Sequence, residues 1–172
     1  MFALVVASST VLFSPIQAYS QKTLDGALFN IDTTDATPAV LKLVESAKRE
    51  GATKITIAKG RYHFFPLKAF EKYVAITNND NGLKRIAFPL IGFNNLEIDA
   101  QGSTFIMHGA IIPFLIEQSK NISLRNFNID WKRPIHSEGT VVAVDEKNKT
   151  FDLKMSDEFP YEIRGNELIY KG

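Results

Sequence analysis

The feature that most constrains this chain is a series of very short β-forming runs that begins at Ile86. Ile86-Ala87-Phe88, Pro89-Leu90-Ile91, Leu96-Glu97-Ile98, Thr104-Phe105-Ile106, Phe114-Leu115-Ile116, Ile122-Ser123-Leu124 and Phe127-Asn128-Ile129 are all about three residues long. Gly92, Asn94-Asn95, Gly102, Gly109, Ser119-Lys120-Asn121 and Asn126 stand between them. The runs repeat. Asn95-Leu96-Glu97-Ile98 matches Asn121-Ile122-Ser123-Leu124 at a spacing of 26, and Leu90-Ile91 matches Leu115-Ile116 at a spacing of 25. A period in the twenties with three short strands per turn fits a parallel β-solenoid. One turn cannot bury its inward Ile, Leu and Phe by itself. Stacked turns pair every short strand with those above and below, and like residues pile into a continuous apolar interior. Asn at the bends suits the left-handed backbone of such corners.

Upstream the pattern is different. Thr37 is placed as an N-cap and Pro38 at the first helical position, where its missing N–H costs nothing. Val40, Leu41, Val44 and Ala47 follow at helical spacing and Gly51 closes the segment, which predicts a helix over Pro38–Glu50. Thr53–Ala58 and Arg61–Phe65 read as strands joined by Lys59-Gly60, and Leu67–Tyr73 as a short helix or turn. Asn78-Asn79-Asp80-Asn81-Gly82 is a turn signal. A calcium loop with Gly82 at its sixth position would need carboxylates where Thr77 and Phe88 stand, so that reading is rejected.

Downstream, Gly139–Asp145 and Thr150–Met155 form a hairpin around Glu146–Lys149, and Glu167–Tyr170 is a third strand. These strands are antiparallel and do not continue the repeat. Residues 137–172 are therefore expected to begin a small, incomplete β domain, and residues 19–136 to form the cap and first coils. Residues 1–18, MFALVVASSTVLFSPIQA, read as the apolar and cleavage regions of a secretory signal peptide truncated at its start. The alternative is a buried N-terminal helix or strand. The stretch is short of the roughly 20 residues that a membrane anchor needs. Cleavage would leave a secreted or periplasmic protein with no membrane anchor.

Formal net charge is +1, so no strong field recruits nucleic acid. No phosphate-cradling glycine loop or aromatic-basic interleaving is present, which argues against nucleotide and nucleic-acid partners. The chain has no cysteine, which removes disulfides, thiolate metal sites and a cysteine nucleophile. His63, His108 and His136 show no ligand spacing, so neither a metal nor another cofactor is expected.

Several runs resemble glycoside hydrolase family 110, the α-1,3-galactosidases, within the pectin-lyase-like β-helix superfamily. They are Gly60-Arg61-Tyr62-His63-Phe64, Ala75-Ile76-Thr77-Asn78-Asn79-Asp80-Asn81-Gly82, Pro89-Leu90-Ile91-Gly92-Phe93, Ile98-Asp99-Ala100-Gln101-Gly102 and Asn128-Ile129-Asp130-Trp131. The resemblance spans Asp32 to the C-terminus. It implies a mainly β fold: a right-handed parallel β-helix with a capping helix, followed by the start of a small antiparallel β domain inserted as a β-barrel. It also implies an exported exo-glycosidase that removes terminal α-1,3-linked galactose from a glycan substrate, with inversion and without metal. The family's catalytic carboxylates lie in later coils, so the catalytic residues are expected beyond this chain, which is read as an N-terminal fragment inactive alone. Other readings are a different β-helix enzyme, such as a polygalacturonase or polysaccharide lyase, or a non-catalytic glycan-binding β-helix.

Inverting hydrolysis needs two carboxyl groups about 6.5–9.5 Å apart. Asp99 and Asp130 close equivalent-looking strands, and neighbouring coils lie about 4.8 Å apart, so the two could face one cleft. The alternative is that each ends a strand and accepts backbone hydrogen bonds at a bend. Trp131 offers an indole platform for the apolar face of a sugar, or core packing. Arg133 and His136, flanking Pro134, are placed to hydrogen-bond sugar hydroxyls or simply lie at the surface. Asp130, Trp131, Arg133 and His136 are therefore the candidate substrate-binding residues.

Overall fold

The computed structural model describes residues 21–76, 79–133, 136–159 and 161–170. The leader expected over residues 1–18 lies outside the described residues, as does Asn78 of the expected turn. Among the described residues no helix is long and apolar enough to cross a membrane.

The chain is mainly β. In order, it forms β1 (Thr23–Asp25), α1 (Thr37–Glu50), β2 (Lys54–Thr56), β3 (Arg61–Phe64), β4 (Phe70–Ile76), β5 (Asn79–Ile91), β6 (Asn94–Met107), β7 (Ile112–Glu117) and β8 (Lys120–Trp131). β9 (Gly139–Asp145), β10 (Thr150–Met155), β11 (Tyr161–Arg164) and β12 (Glu167–Tyr170) follow. Short 3-10 turns occupy Gly26–Phe29 and Pro66–Lys68.

Three parallel stacks organise residues 23–131. β1, β2 and the first half of β6 lie side by side, with the first half of β8 above them. β3 lies beside the second half of β6, which in turn lies beside the second half of β8. β5 pairs in parallel with β7. Four of the expected three-residue runs are thus halves of β6 and β8, which bend at a corner, whereas Ile86–Phe88 and Pro89–Ile91 follow each other within β5. Gln101 and Gly102 make that corner in β6 with φ of 50° and 83°, and Asn126 makes it in β8 with φ of 59°. Only glycine, Asn and similar residues adopt this left-handed backbone cheaply.

The register shows where the repeat is regular. Leu96 lies beside Ile122 and Ile98 beside Leu124, the expected 26-residue step. Asn95 and Asn121, both at positive φ, stack at the same step, with Asn121 Nδ2 donating to Asn95 Oδ1 at 2.7 Å. The 25-residue match is corrected: Leu90 lies beside Ile116 and Pro89 beside Leu115, so this step is also 26. Sliding by one residue would turn inward Phe88 and Leu90 outward. The step from β2 and β3 up to β6 is longer, with Lys54 beside Glu97 and Arg61 beside Thr104, 43 residues on. The extra length is the hairpin of β4 with β5, Phe70 opposite Ile86 and Val74 opposite Gly82. Leu67–Tyr73, expected as a short helix or turn, instead splits between the Pro66–Lys68 turn and β4.

Charged residues reinforce the stacking. Glu97 in the middle layer meets Lys54 below at 2.9 Å and Arg125 above at 2.9 Å. The hydrogen bond from Lys54, with help from Arg125, holds its carboxyl below the usual range.

α1 packs its apolar stripe inward through Val40, Leu43, Val44 and Ala47. Leu43 takes the buried place expected for Leu41, which is only half-buried. The expected Thr37 N-cap is also corrected. Ala36 is the cap residue, and the Thr37 N–H is taken by Asp35 Oδ1 at 3.1 Å. Thr37 Oγ1 instead accepts from the Phe65 N–H at 2.9 Å, tying the buried helix start to the end of β3. Gly51 closes α1 at φ 64°, as expected.

The interior is an aromatic column. Phe64, Phe88 and Phe105 are fully buried. Phe105 lies 5.4 Å from Phe64, 5.3 Å from Phe88 and 5.5 Å from Phe127 between ring centroids. Phe88 stacks on Phe114 at 4.7 Å. Every layer therefore contributes rings to one contiguous core. β9 and β10 form the expected hairpin, with Asp145 accepting from the Lys147 and Asn148 N–H groups in its turn. β11 and β12 form a second hairpin, of which only β12 was expected. Val141, Val142, Val144, Phe151, Ile163 and Leu168 on these hairpins are exposed.

Candidate functional site

The outer face of β3, β6 and β8 gathers the polar chemistry of the stacked layers. Alternation turns Tyr62, Phe64, Phe105 and Met107 inward, where all four are buried. The residues between them form two rows across the strands: Arg61 beside Thr104 and Thr104 beside Asn128, then His63 beside Ile106 and Ile106 beside Asp130. The ladder runs on past the strand ends, with the His108 N–H donating to the Phe64 carbonyl and the Lys132 N–H to the Met107 carbonyl, both at 2.9 Å. That brings Phe65, His108 and Lys132 into a third row. Ile106 is buried but stands apart from the interior apolar cluster.

His63 Nδ1 lies 2.7 Å from His108 Nε2, so a single proton sits between two rings 45 residues apart. The His108 ring also stacks on Phe65, with centroids 4.0 Å apart and planes 20° from parallel. Burial, and then the charges of His63 and Lys132, push the His108 imidazole below its ordinary pKa and favour its neutral form. Nothing in the sequence spacing flagged this pair. Its only signal is that Tyr62-His63-Phe64-Phe65 lies against Phe105-Ile106-Met107-His108, which becomes visible once the β4–β5 hairpin is recognised as an insertion. Among the described residues no group of three or more His, Cys, Asp or Glu side chains could hold a metal ion.

The expected residues distribute as follows. Asp130 is exposed, and its Oδ1 accepts from the Trp131 N–H at 2.8 Å. Trp131 lies beside Met107, half-buried against the core, so packing occupies much of its ring. Arg133 is exposed just beyond β8. His136 belongs to the approach to β9, with Nε2 2.9 Å from Glu138 Oε1 and its ring 5.8 Å from that of Phe159. A cleft of about 370 Å³ next to it is lined by Glu138, Thr140, Lys154 and Phe159. Asp130 and Trp131 are thus adjacent at one strand end, and His136 has separate partners.

Of the two readings weighed for Asp99 and Asp130, the structure bears out the second: they do not pair, and each accepts a backbone N–H, Asp99 at a bend and Asp130 at a strand end. Asp99 lies beside Arg125 and Asp130 beside Ile106, on opposite sides of the corner. Asp99 Oδ1 accepts from Asn126 Nδ2 at 2.9 Å and the Gln101 N–H at 3.0 Å, and these bonds hold its carboxyl below the usual range. Asp99 is therefore a corner-bracing group, because hydrogen bonds that favour its ionised form make it a poor proton carrier.

Comparison with known proteins gives this arrangement its context. The chain is 42% identical over 138 residues to an α-1,3-galactosidase A of Shewanella woodyi, covering 80% of this chain and 23% of the relative. It is 34% identical over 139 residues to an α-1,3-galactosidase B of Bacteroides thetaiotaomicron, covering 80% of this chain and 22% of that one. The chain belongs, by sequence, with the α-1,3-galactosidases. An α-1,3-galactosidase B of Akkermansia muciniphila matches at 31% over 139 residues, 80% of this chain and 17% of the relative. The model of GLAA-B β-barrel domain I matches residues 137–172, the stretch that forms β9–β12. The chain therefore spans about a quarter or less of the length of these family members.

Proposed function

We propose that this chain is part of an exported exo-glycosidase that hydrolyses terminal α-1,3-linked galactose from glycans, with inversion and without a metal. The observation that carries the reading is the 42% identity to an α-1,3-galactosidase over 138 residues. The 26-residue parallel register supports a second part of it. In that reading residues 19–136 are the cap and first coils of a right-handed parallel β-helix, and residues 137–172 begin an inserted β-barrel domain. Residues 1–18 act as a secretory leader that delivers a secreted or periplasmic protein. Asp130, Trp131, Arg133 and His136 are assigned as glycan contacts where the layers meet the hairpins. The acid and base of the reaction are supplied by sequence outside this chain, so the 172 residues alone are inactive.

The test is galactose release from an α-1,3-galactosyl disaccharide, assayed on the 172-residue chain and on a longer polypeptide that carries it. The longer polypeptide is expected to release galactose, with the β-anomer appearing first in a proton NMR time course. Failure of the longer polypeptide to cleave this disaccharide or related α-galactosides refutes the reading.

A further inference from the structure

We propose that a pocket walled by Thr33, Thr34, Arg61 and His63 binds the anionic group of a sugar, a carboxylate or a sulfate ester. The pocket has a volume of about 350 Å³ and opens beside the outer face of β3. Its anion-binding character rests on geometry alone, and the assignment of the anion to a sugar rests on the glycosidase reading above.

Arg61 carries the argument. Among the described residues its guanidinium has no ion-pair or hydrogen-bond partner, although two carboxylates stand on the neighbouring segment. Both are already engaged. Asp32 accepts from the Thr34 N–H and the Thr34 hydroxyl, each at 2.8 Å. Asp35 accepts from the Thr37 N–H at 3.1 Å and lies 3.6 Å from Lys68 Nζ. The pocket thus holds a planar fork of N–H donors that neither carboxylate meets, the geometry that matches carboxylate and sulfate oxygens.

The other walls add donors. His63 Nδ1 is committed to His108, which leaves Nε2 for the pocket. An anion beside Nε2 selects the tautomer in which that nitrogen is protonated, with His108 Nε2–H donating to His63 Nδ1. The Thr33 hydroxyl has no partner among the described residues. The Thr33 carbonyl accepts from the His63 N–H at 3.1 Å, which fixes this wall against β3. The Thr34 hydroxyl proton goes to Asp32, so Thr34 offers no donor. No carboxylate or amide side chain lines the pocket to accept from sugar hydroxyls. A lining rich in donors and poor in acceptors favours an anion over a neutral sugar.

The experiment follows the histidine ring nitrogens of the ¹⁵N-labelled full chain by NMR. Sodium glucuronate, galactose 6-sulfate, galactose and sodium sulfate are the titrants. At least one of the two charged sugars is expected to shift the His63 ring saturably at millimolar concentration, and galactose is not. Whichever binds identifies the anion. Arg61→Gln, at an exposed position, is expected to weaken binding at least tenfold, and Thr33→Val a few-fold. The proposal is overturned if neither charged sugar gives a saturable shift, if both variants bind as well as the parent, or if sodium sulfate binds as tightly as the sugars. None of these outcomes depends on galactose release, so the site and the proposed activity fail independently.

Discussion

Truncating Phe105 to alanine tests the aromatic column directly. Phe105 is fully buried in β6 and is the ring on which the layers converge. Phe64 approaches it edge-on at 5.4 Å from below, Phe88 lies at 5.3 Å, and Phe127 stacks at 5.5 Å from above. Tyr62 and Phe114 complete the shell at 6.4 Å. Burying a phenylalanine and then deleting it typically costs about 3–5 kcal/mol, including the cavity left behind. Because aromatic neighbours surround the ring and stacked strands on both sides resist collapse, the upper half of that range, about 4–5 kcal/mol, is expected here. With a urea dependence of about 2 kcal/mol per molar, the midpoint should fall by roughly 2 M. Trp131, the single tryptophan, packs against this core and reports its loss by fluorescence. Phe151→Ala is the control, because Phe151 on the hairpin is 62% exposed and should change stability by no more than about 0.5 kcal/mol. A cost below about 1 kcal/mol for Phe105→Ala, or equal costs for the two variants, would show that the column does not hold the layers together.

Two further outcomes follow from local geometry. Gly26→Ala places a Cβ 2.7 Å from the Thr56 carbonyl oxygen and 3.2 Å from Ile31 Cδ1, and one of these is backbone that cannot turn aside. It should destabilise by about 1–3 kcal/mol in the same urea titration, and a neutral result would contradict the tight seating of this turn on β2. The second concerns pH. The His108 pKa is lowered in the folded chain, so the unfolded chain binds more protons as pH falls through the ordinary histidine range near 6.5. The contribution of His108 is therefore complete above that range and is lost below it. Stability measured from pH 8 to pH 5 should fall, and His108→Phe, which keeps the stack on Phe65, should flatten that fall. An unchanged slope would assign the pH dependence to other groups.

Features governed by neighbouring residues were readable from the sequence alone. Pro38 and Gly51 bracket α1 because ring geometry and positive φ act within one turn of backbone. The hairpin of β9 and β10 has the bounds its turn residues dictate. The 26-residue step of Leu96 onto Ile122 is visible because both flanking asparagines adopt the left-handed corner. Contacts across an insertion or a corner were not readable in this way, because each depends on how much chain that feature consumes. The β4–β5 hairpin lengthens one step to 43 residues, and only that length lays His108 against His63 and Phe65. The corner in β6 puts Asp99 and Asp130 on different stacks, although each had looked like the end of an equivalent strand. Short-range backbone preference thus set α1, the β9–β10 hairpin and the asparagine corners, and packing at long sequence separation decided which side chains share a surface.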